Sequence, residues 1–177
     1  STINSTLSAG TNVVLQANND ITVSSAITAS NSGNGGDLTL QAGRSVLVNA
    51  SITTDGGDLT LTANETTSNG VVTAERDENA AVITLGAAIV TGAGKFTVTI
   101  SAGTGRSGSK ITSGDITLSS VTAGSLEVTN NGPTSNSNIE DNGVLDIAGT
   151  SSFTTSRNGS DITLNQANEF TGAVSLN

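Results

Sequence analysis

At 177 residues the chain is long enough for one domain with a substantial core, yet it holds only three aromatic residues (Phe96, Phe153, Phe170), one proline (Pro133) and no Cys, Met, Trp, Tyr or His. Without His or Cys, the usual nucleophile–base pairs and nearly all transition-metal sites are excluded, which leaves carboxylates, lysines and hydroxyls as the available chemistry. The net charge of −9, from six basic and fifteen acidic residues, argues against a nucleic-acid partner and against docking on an anionic membrane, both of which need clustered Lys and Arg.

No run of ~18 apolar residues is present, so no membrane-spanning helix is expected. The opening Ser1-Thr2-Ile3-Asn4-Ser5 lacks the charged and apolar regions of a signal peptide, as expected of a mature chain or one cut from a longer protein. The lack of cysteine is consistent with export through an oxidising compartment, and a stacked β fold does not need disulfides.

Strand-like alternation begins early. Asn12-Val13-Val14-Leu15-Gln16-Ala17, Ile21-Thr22-Val23 and Ile27-Thr28 all return 25 residues later, as Asp37-Leu38-Thr39-Leu40-Gln41-Ala42, Val46-Leu47-Val48 and Ile52-Thr53. The loop that lengthens this first period is Asn31–Gly36, rich in Gly, Ser and Asn. Asp37-Leu38-Thr39-Leu40 next returns as Asp58-Leu59-Thr60-Leu61, after only 21 residues. Three short strands and three corners per period describe one coil of a parallel β-helix.

After Ala63 the coil is interrupted. The second strand resumes at Ile83-Thr84-Leu85, 37 residues after Val46, which defines an excursion over Glu65–Ala81. Within it Ala74–Ala81 has a weak helical composition, and at most one turn is expected there. Ile89-Val90 and Phe96-Thr97-Val98 continue the coil, and Thr104–Lys110 reads as a Gly/Ser-rich loop. Asp115–Leu118, Val121-Thr122 and Leu126–Val128 then read as strands, followed by a second excursion over Asn130–Gly143. Val144–Ile147, Ser152–Thr154, Asp161–Leu164 and Ala173–Leu176 complete the pattern, with their faces unassigned. Both ends read as uncapped, so the chain is expected to be one segment, 1–177, of a longer fibre or a subunit that stacks end to end.

Alternation points Leu38 and Leu40 inward and Thr39 outward. Stacking coils ~4.8 Å apart then sets Leu15, Leu40, Leu61 and Val98 in one buried row. Gly and Asn at the corners are expected to supply positive φ. Outward threonines such as Thr39, Thr60 and Thr97 are expected not to keep to one face, which argues against an ice-binding array.

The segments GGDLTLQAG, GGDLTLTAN, SGDITLSS and GTSSFTTSRNGSDITLNQANEFTGAVSLN resemble the repeat regions of filamentous-haemagglutinin-like exoproteins, the surface adhesins that Gram-negative bacteria export by two-partner secretion. The resemblance implies an all-β fold, a right-handed parallel β-helix with three short strands per coil. It also implies secretion to the bacterial cell surface through an outer-membrane partner, and an adhesive or stalk-forming role towards a host or neighbouring-cell surface or glycan. That family's secretion domain carries an Asn-Pro motif; here Gly132 precedes the only proline, so that domain is not expected within residues 1–177.

The expected function is therefore structural and adhesive, without catalysis or cofactor. Candidate binding residues are the acids of the two excursions: Glu75, Asp77 and Glu78 in the first, Glu140 and Asp141 in the second. Grouped oxygens suit a hard cation or a sugar, and they equally suit a solvated loop. Asp37, Asp58, Asp115 and Asp161, each before a strand, are expected to cap turns, since the Gly-Gly-x-Gly-x-Asp repeat of calcium-binding rolls is missing. The alternative is a polysaccharide-binding or polysaccharide-cleaving β-helix. Cleavage would need a carboxylate pair or Ca2+ beside a basic residue in a groove usually lined by aromatics, and the chain has two lysines, four arginines and no Trp or Tyr.

Overall fold

The computed structural model describes residues 1–65, 71–77, 79–102, 113–132 and 137–177. The chain opens on helix α1 (Thr2–Ser8). Coil 1 runs through β1 (Val13–Ala17), β2 (Ile21–Val23) and β3 (Ile27–Thr28), and coil 2 through β4 (Leu38–Ala42), β5 (Val46–Val48) and β6 (Ile52–Thr53). Coil 3 comprises β7 (Leu59–Ala63), β8 (Ala81–Leu85) and β9 (Ile89–Val90), with a single 3-10 turn at Thr73–Glu75. Coil 4 comprises β10 (Lys95–Ile100), β11 (Ser113–Leu118) and β12 (Val121–Ala123). Coil 5 follows with β13 (Ser125–Asn130), β14 (Ile139–Asp141) and β15 (Leu145–Ile147). Coil 6 has β16 (Ser151–Thr155), β17 (Ile162–Thr163) and β18 (Glu169–Phe170), and β19 (Val174–Leu176) lies beyond it.

Every third strand falls in the same sheet. Sheet A is β1-β4-β7-β10-β13-β16-β19, sheet B is β2-β5-β8-β11-β14-β17, and sheet C is β3-β6-β9-β12-β15-β18. Neighbours pair in parallel throughout, so the chain is a parallel β-helix of three strands per coil. The register Val13↔Leu38↔Leu59↔Phe96 absorbs the unequal sequence spacings without slipping. A slip of one residue would turn the whole apolar set outward, and the inward row of sheet A shows what holds it. Leu40, Leu61, Val98, Val128 and Phe153 stack in register and are fully buried. Val46, Ile83, Ile116 and Ile139 do the same in sheet B, and Ile52, Ile89, Val121 and Leu145 in sheet C. At ~1.5–3 kcal/mol per buried aliphatic side chain, a coil gains on the order of 10 kcal/mol before conformational entropy is subtracted.

The first end is covered, contrary to the uncapped end predicted. Ser1 caps α1, its Oγ accepting the Asn4 N–H at 3.3 Å. Leu7 is fully buried in the core and Ile3 packs beside it, the i, i+4 spacing that puts both on one face. TINSTLS has few strong helix formers, and seven residues are too few for propensity to hold a helix, so docking on coil 1 stabilises it. At the other end, Val174 is 45% and Leu176 60% exposed.

The aspartates cap across coils and not within their own turns. Asn12 Oδ1 accepts the Asp37 N–H at 2.9 Å, Asp37 Oδ1 the Asp58 N–H at 2.8 Å, and Asp58 Oδ1 the Lys95 N–H at 2.7 Å. Asp115, Asn138 and Asp161 form a second such ladder. Because Asn12 does the work of Asp37, Asp58→Asn is expected to be near neutral in thermal denaturation, whereas Asp58→Ala loses about 0.5–1.5 kcal/mol. An Asn variant as damaging as the Ala variant would show that charge, not acceptance, matters here.

Two corner features differ from expectation. Positive φ occurs at Gly10, Gly33, Gly56, Gly92 and Gly159, but also at Ser32, Asp55, Asn64 and Asn79. Gly36, Gly57, Gly94, Gly124, Gly149 and Gly172 instead stand where sheet C turns into sheet A, and each lies against backbone of the preceding coil. The outer threonines also keep to one face after all. Thr39, Thr60 and Thr97 form one row on sheet A, and Thr62, Thr99, Thr129 and Thr154 a second. The rows are interrupted by the Gln16–Gln41 side-chain pair and by the Lys95–Glu127 ion pair.

Candidate functional site

From coil 3 onward the long connections share one corner. The segments 64–80, 101–112, 131–138 and 156–161 each join a strand of sheet A to the following strand of sheet B, so all four connections leave and re-enter the coil at the A–B edge. In the same coils the B–C and C–A connections are short, whereas 29–37 is a longer C–A connection in coil 1. The first excursion, between β7 and β8, matches the predicted Glu65–Ala81 closely, and its 3-10 turn at Thr73–Glu75 overlaps only the start of the Ala74–Ala81 stretch where at most one turn is expected. The second is shorter than the predicted Asn130–Gly143: Asn130 ends β13, and Ile139–Asp141 is β14, paired with β11 and β17. The predicted loop Thr104–Lys110 lies outside the described residues, as does Glu78.

The four candidate acids among the described residues, Glu75, Asp77, Glu140 and Asp141, are not assembled into one site. Glu75 and Asp77 are exposed at the A–B corner beside coils 1 and 2. Glu140 stands half-buried on the outer face of sheet B in coil 5, between Thr117 and Thr163. Asp141 points the other way and is buried at the B–C corner. Its Oδ1 accepts the Asn165 N–H at 2.8 Å, and its Oδ2 accepts the Gln166 N–H at 3.3 Å and the Asn168 Nδ2–H at 2.6 Å. A carboxylate so occupied holds a corner and has little left for a ligand. Among the described residues no group of three or more acidic side chains is placed to hold a metal ion.

What the A–B corner does assemble includes only Asp77 of the candidates. Arg44 clamps Asp20, with Nε–H to Oδ1 at 2.8 Å and Nη2–H to Oδ2 at 2.6 Å, and its Nη1 lies 3.5 Å from Asp77 Oδ2. Asp20 Oδ1 also accepts the Ser45 N–H at 3.0 Å. The Arg44 hydrogen bonds hold the Asp20 carboxyl below its ordinary value despite partial burial, and Asp20 raises Arg44 in return. Away from that edge, at the C–A corner, Asp55 is lowered by the N–H groups of Asn31 and Gly33. Arg76 is buried, and desolvation pulls its guanidinium down while the nearby Glu65 charge opposes that.

A folded pKa depressed below the ordinary 3.8 means that the Asp20–Arg44 pair stabilises fully above that pH and is lost as pH falls through the folded value. Acid titration of stability should therefore be shallower in Asp20→Asn than in the parent below about pH 4. Identical acid limbs would remove the pair from the account.

Residues 106–177 match a family described as repeats of unknown function (DUF5649). No curated protein and no solved structure matches the chain. The matched stretch ends on β19 and includes the ladders Ile116↔Ile139↔Ile162 and Leu126↔Ser151↔Val174, whose spacing is more even than that of Val13↔Leu38↔Leu59↔Phe96 in the first coils.

Proposed function

We propose that this chain is a non-catalytic rod segment of a secreted bacterial surface exoprotein of the filamentous-haemagglutinin-like kind, delivered through an outer-membrane partner. In this reading it carries contacts to a host or neighbouring-cell surface or glycan along its A–B edge. The observation that carries the reading is the gathering of the longer connections on one edge from coil 3 onward, the 29–37 connection at the C–A corner of coil 1 standing apart from them. A solenoid tolerates insertions at any corner, so their concentration at one corner marks the variable, partner-facing side. The exposed Arg157, Asn158 and Gly159 of the 156–161 turn and the exposed Glu75 belong to that side.

Polysaccharide cleavage is the weaker alternative. Opposed carboxylates at a scissile bond are needed, whereas Glu140 has threonines on both sides in its register and Asp141 is turned inward. The test is binding of the purified chain to a glycan array and to cell surfaces. Arg157→Ala with Asn158→Ala is expected to reduce retention, and Thr122→Ala with Asp146→Ala on the outer face of sheet C to leave it intact. Equal loss from both faces, or release of new reducing ends from a bound glycan, would overturn the proposal.

A further inference from the structure

Residues 71–77 leave coil 3 but do not project from the rod. They run back over coils 1 and 2 at the A–B corner, making contacts that join positions up to 58 residues apart. The Val72 N–H donates to Asn18 Oδ1 at 2.8 Å, and the Asp77 N–H to Asn19 Oδ1 at 2.5 Å. The Arg76 Nε–H donates to the Gly43 carbonyl at 2.7 Å, and Nη2 donates to Asn64 Oδ1. Four oxygens from three successive coils therefore face one short segment, and all four accept. Val71 is buried beneath it, so close to Gly43 that a Cβ there would lie 2.9 Å from Val71 Cγ1.

We propose that residues 71–77 form a strap that opens and closes independently of the solenoid, and that Arg76 is its key, seated in an oxygen cradle selective for a guanidinium group. The selectivity follows from shape. A planar fork spans the Gly43 carbonyl and Asn64 Oδ1 at once, which a compact ammonium on a flexible stem does not. The independence follows from how the strap is held. It adds no strand to any sheet, and Val72, Glu75 and Asp77 on its outer side are exposed. Arg76 is only 1% exposed, yet its Nη1 has no hydrogen-bond partner among the described residues, so closing the strap desolvates a cation whose donors are incompletely matched there. A segment with one buried apolar anchor and a costly charge belongs to the low-stability end of a fold whose coils bury full apolar rows. This inference does not depend on what the A–B edge binds.

Hydrogen exchange on the intact chain tests it. In the parent protein the Val72 and Asp77 amides are expected to exchange at least about tenfold faster than those of Leu40 and Leu61, through a local opening. Arg76→Ala should abolish the remaining strap protection and leave the Leu40 and Leu61 amides unchanged. Guanidinium at millimolar concentration, far below denaturing levels, should restore strap protection in that variant, whereas methylammonium should not. Arg76→Lys should behave as Arg76→Ala does. Strap and strand amides that exchange together in the parent would overturn the independence of the strap, a comparison that needs no variant. Protection retained in Arg76→Ala, or not restored by guanidinium, would overturn the role of Arg76. Equal rescue by methylammonium would overturn the selectivity.

Discussion

Gly94→Ala is expected to destabilise the protein by about 3–5 kcal/mol, enough to threaten the cooperative fold of a domain whose total stability is about 5–15 kcal/mol. A Cβ at residue 94 would lie 2.2 Å from the Gly57 carbonyl oxygen and 2.7 Å from the Gly57 carbonyl carbon. Both are backbone atoms, and neither can retreat. Gly57 is itself pressed on Gly36, with a Cβ there 2.2 Å from the Gly36 oxygen, and Gly124 is pressed on Ala93 in the same way, at 2.1 Å. The ~4.8 Å spacing of the coils is fixed by hydrogen bonding in three sheets, so relief at one corner would open the ladders beside it. Gly159→Ala separates this cause from the familiar one. Gly159 has φ +85 with nothing near its missing Cβ, so alanine there meets only backbone strain, about 1 kcal/mol. Urea denaturation of the two variants should differ severalfold in lost stability. A Gly94→Ala loss under about 1 kcal/mol would mean that the corners have slack which the contacts deny.

The regular part of this molecule is written in short-range patterns and was therefore legible. Leu38-Thr39-Leu40 and Leu59-Thr60-Leu61 carry alternation and period together, and the ladder pairs them as the spacing demands. Glycine before Asp37 and Asp58 was visible too, but its reason was not. Positive φ is a local property that a sequence suggests, whereas a Cβ collision with the coil beneath needs the stacked backbone. The elements that escaped depend on packing or on distant partners. The docking of Leu7 on coil 1 makes α1 a helix, against an unpromising Ser/Thr/Asn composition. Ile139-Glu140-Asp141 is a strand because β11 offers it an edge, although polar residues surround it in the chain. The acids of the excursions were conspicuous by composition, yet Asp141 turned out to be a corner clasp. The A–B corner is built by Asn18, Asn19, Arg44, Asn64 and Arg76, and only the polar triplet Asn18-Asn19-Asp20, at a corner where coil 2 has Gly43-Arg44-Ser45, hinted at it.

The stacked architecture also makes the cost of one kind of substitution depend on position along the rod. Leu61 and Leu176 occupy the same inward row of sheet A, linked through Val98, Val128 and Phe153. Leu61 has Leu40 on one side and Val98 on the other and is fully buried, whereas Leu176 has only Phe153 as a row neighbour and is 60% exposed. Leu61→Ala leaves a cavity walled by two coils that cannot collapse into it without shortening their own ladders, so a loss of about 2–5 kcal/mol is expected. Leu176→Ala removes a side chain that water already reaches, and about 1 kcal/mol or less is expected. Since each coil is stabilised mainly by its immediate neighbours, Leu61→Ala should also weaken hydrogen-exchange protection of β4 and β10 before that of β16. Loss spread evenly over all coils would mean that the rod unfolds as one block.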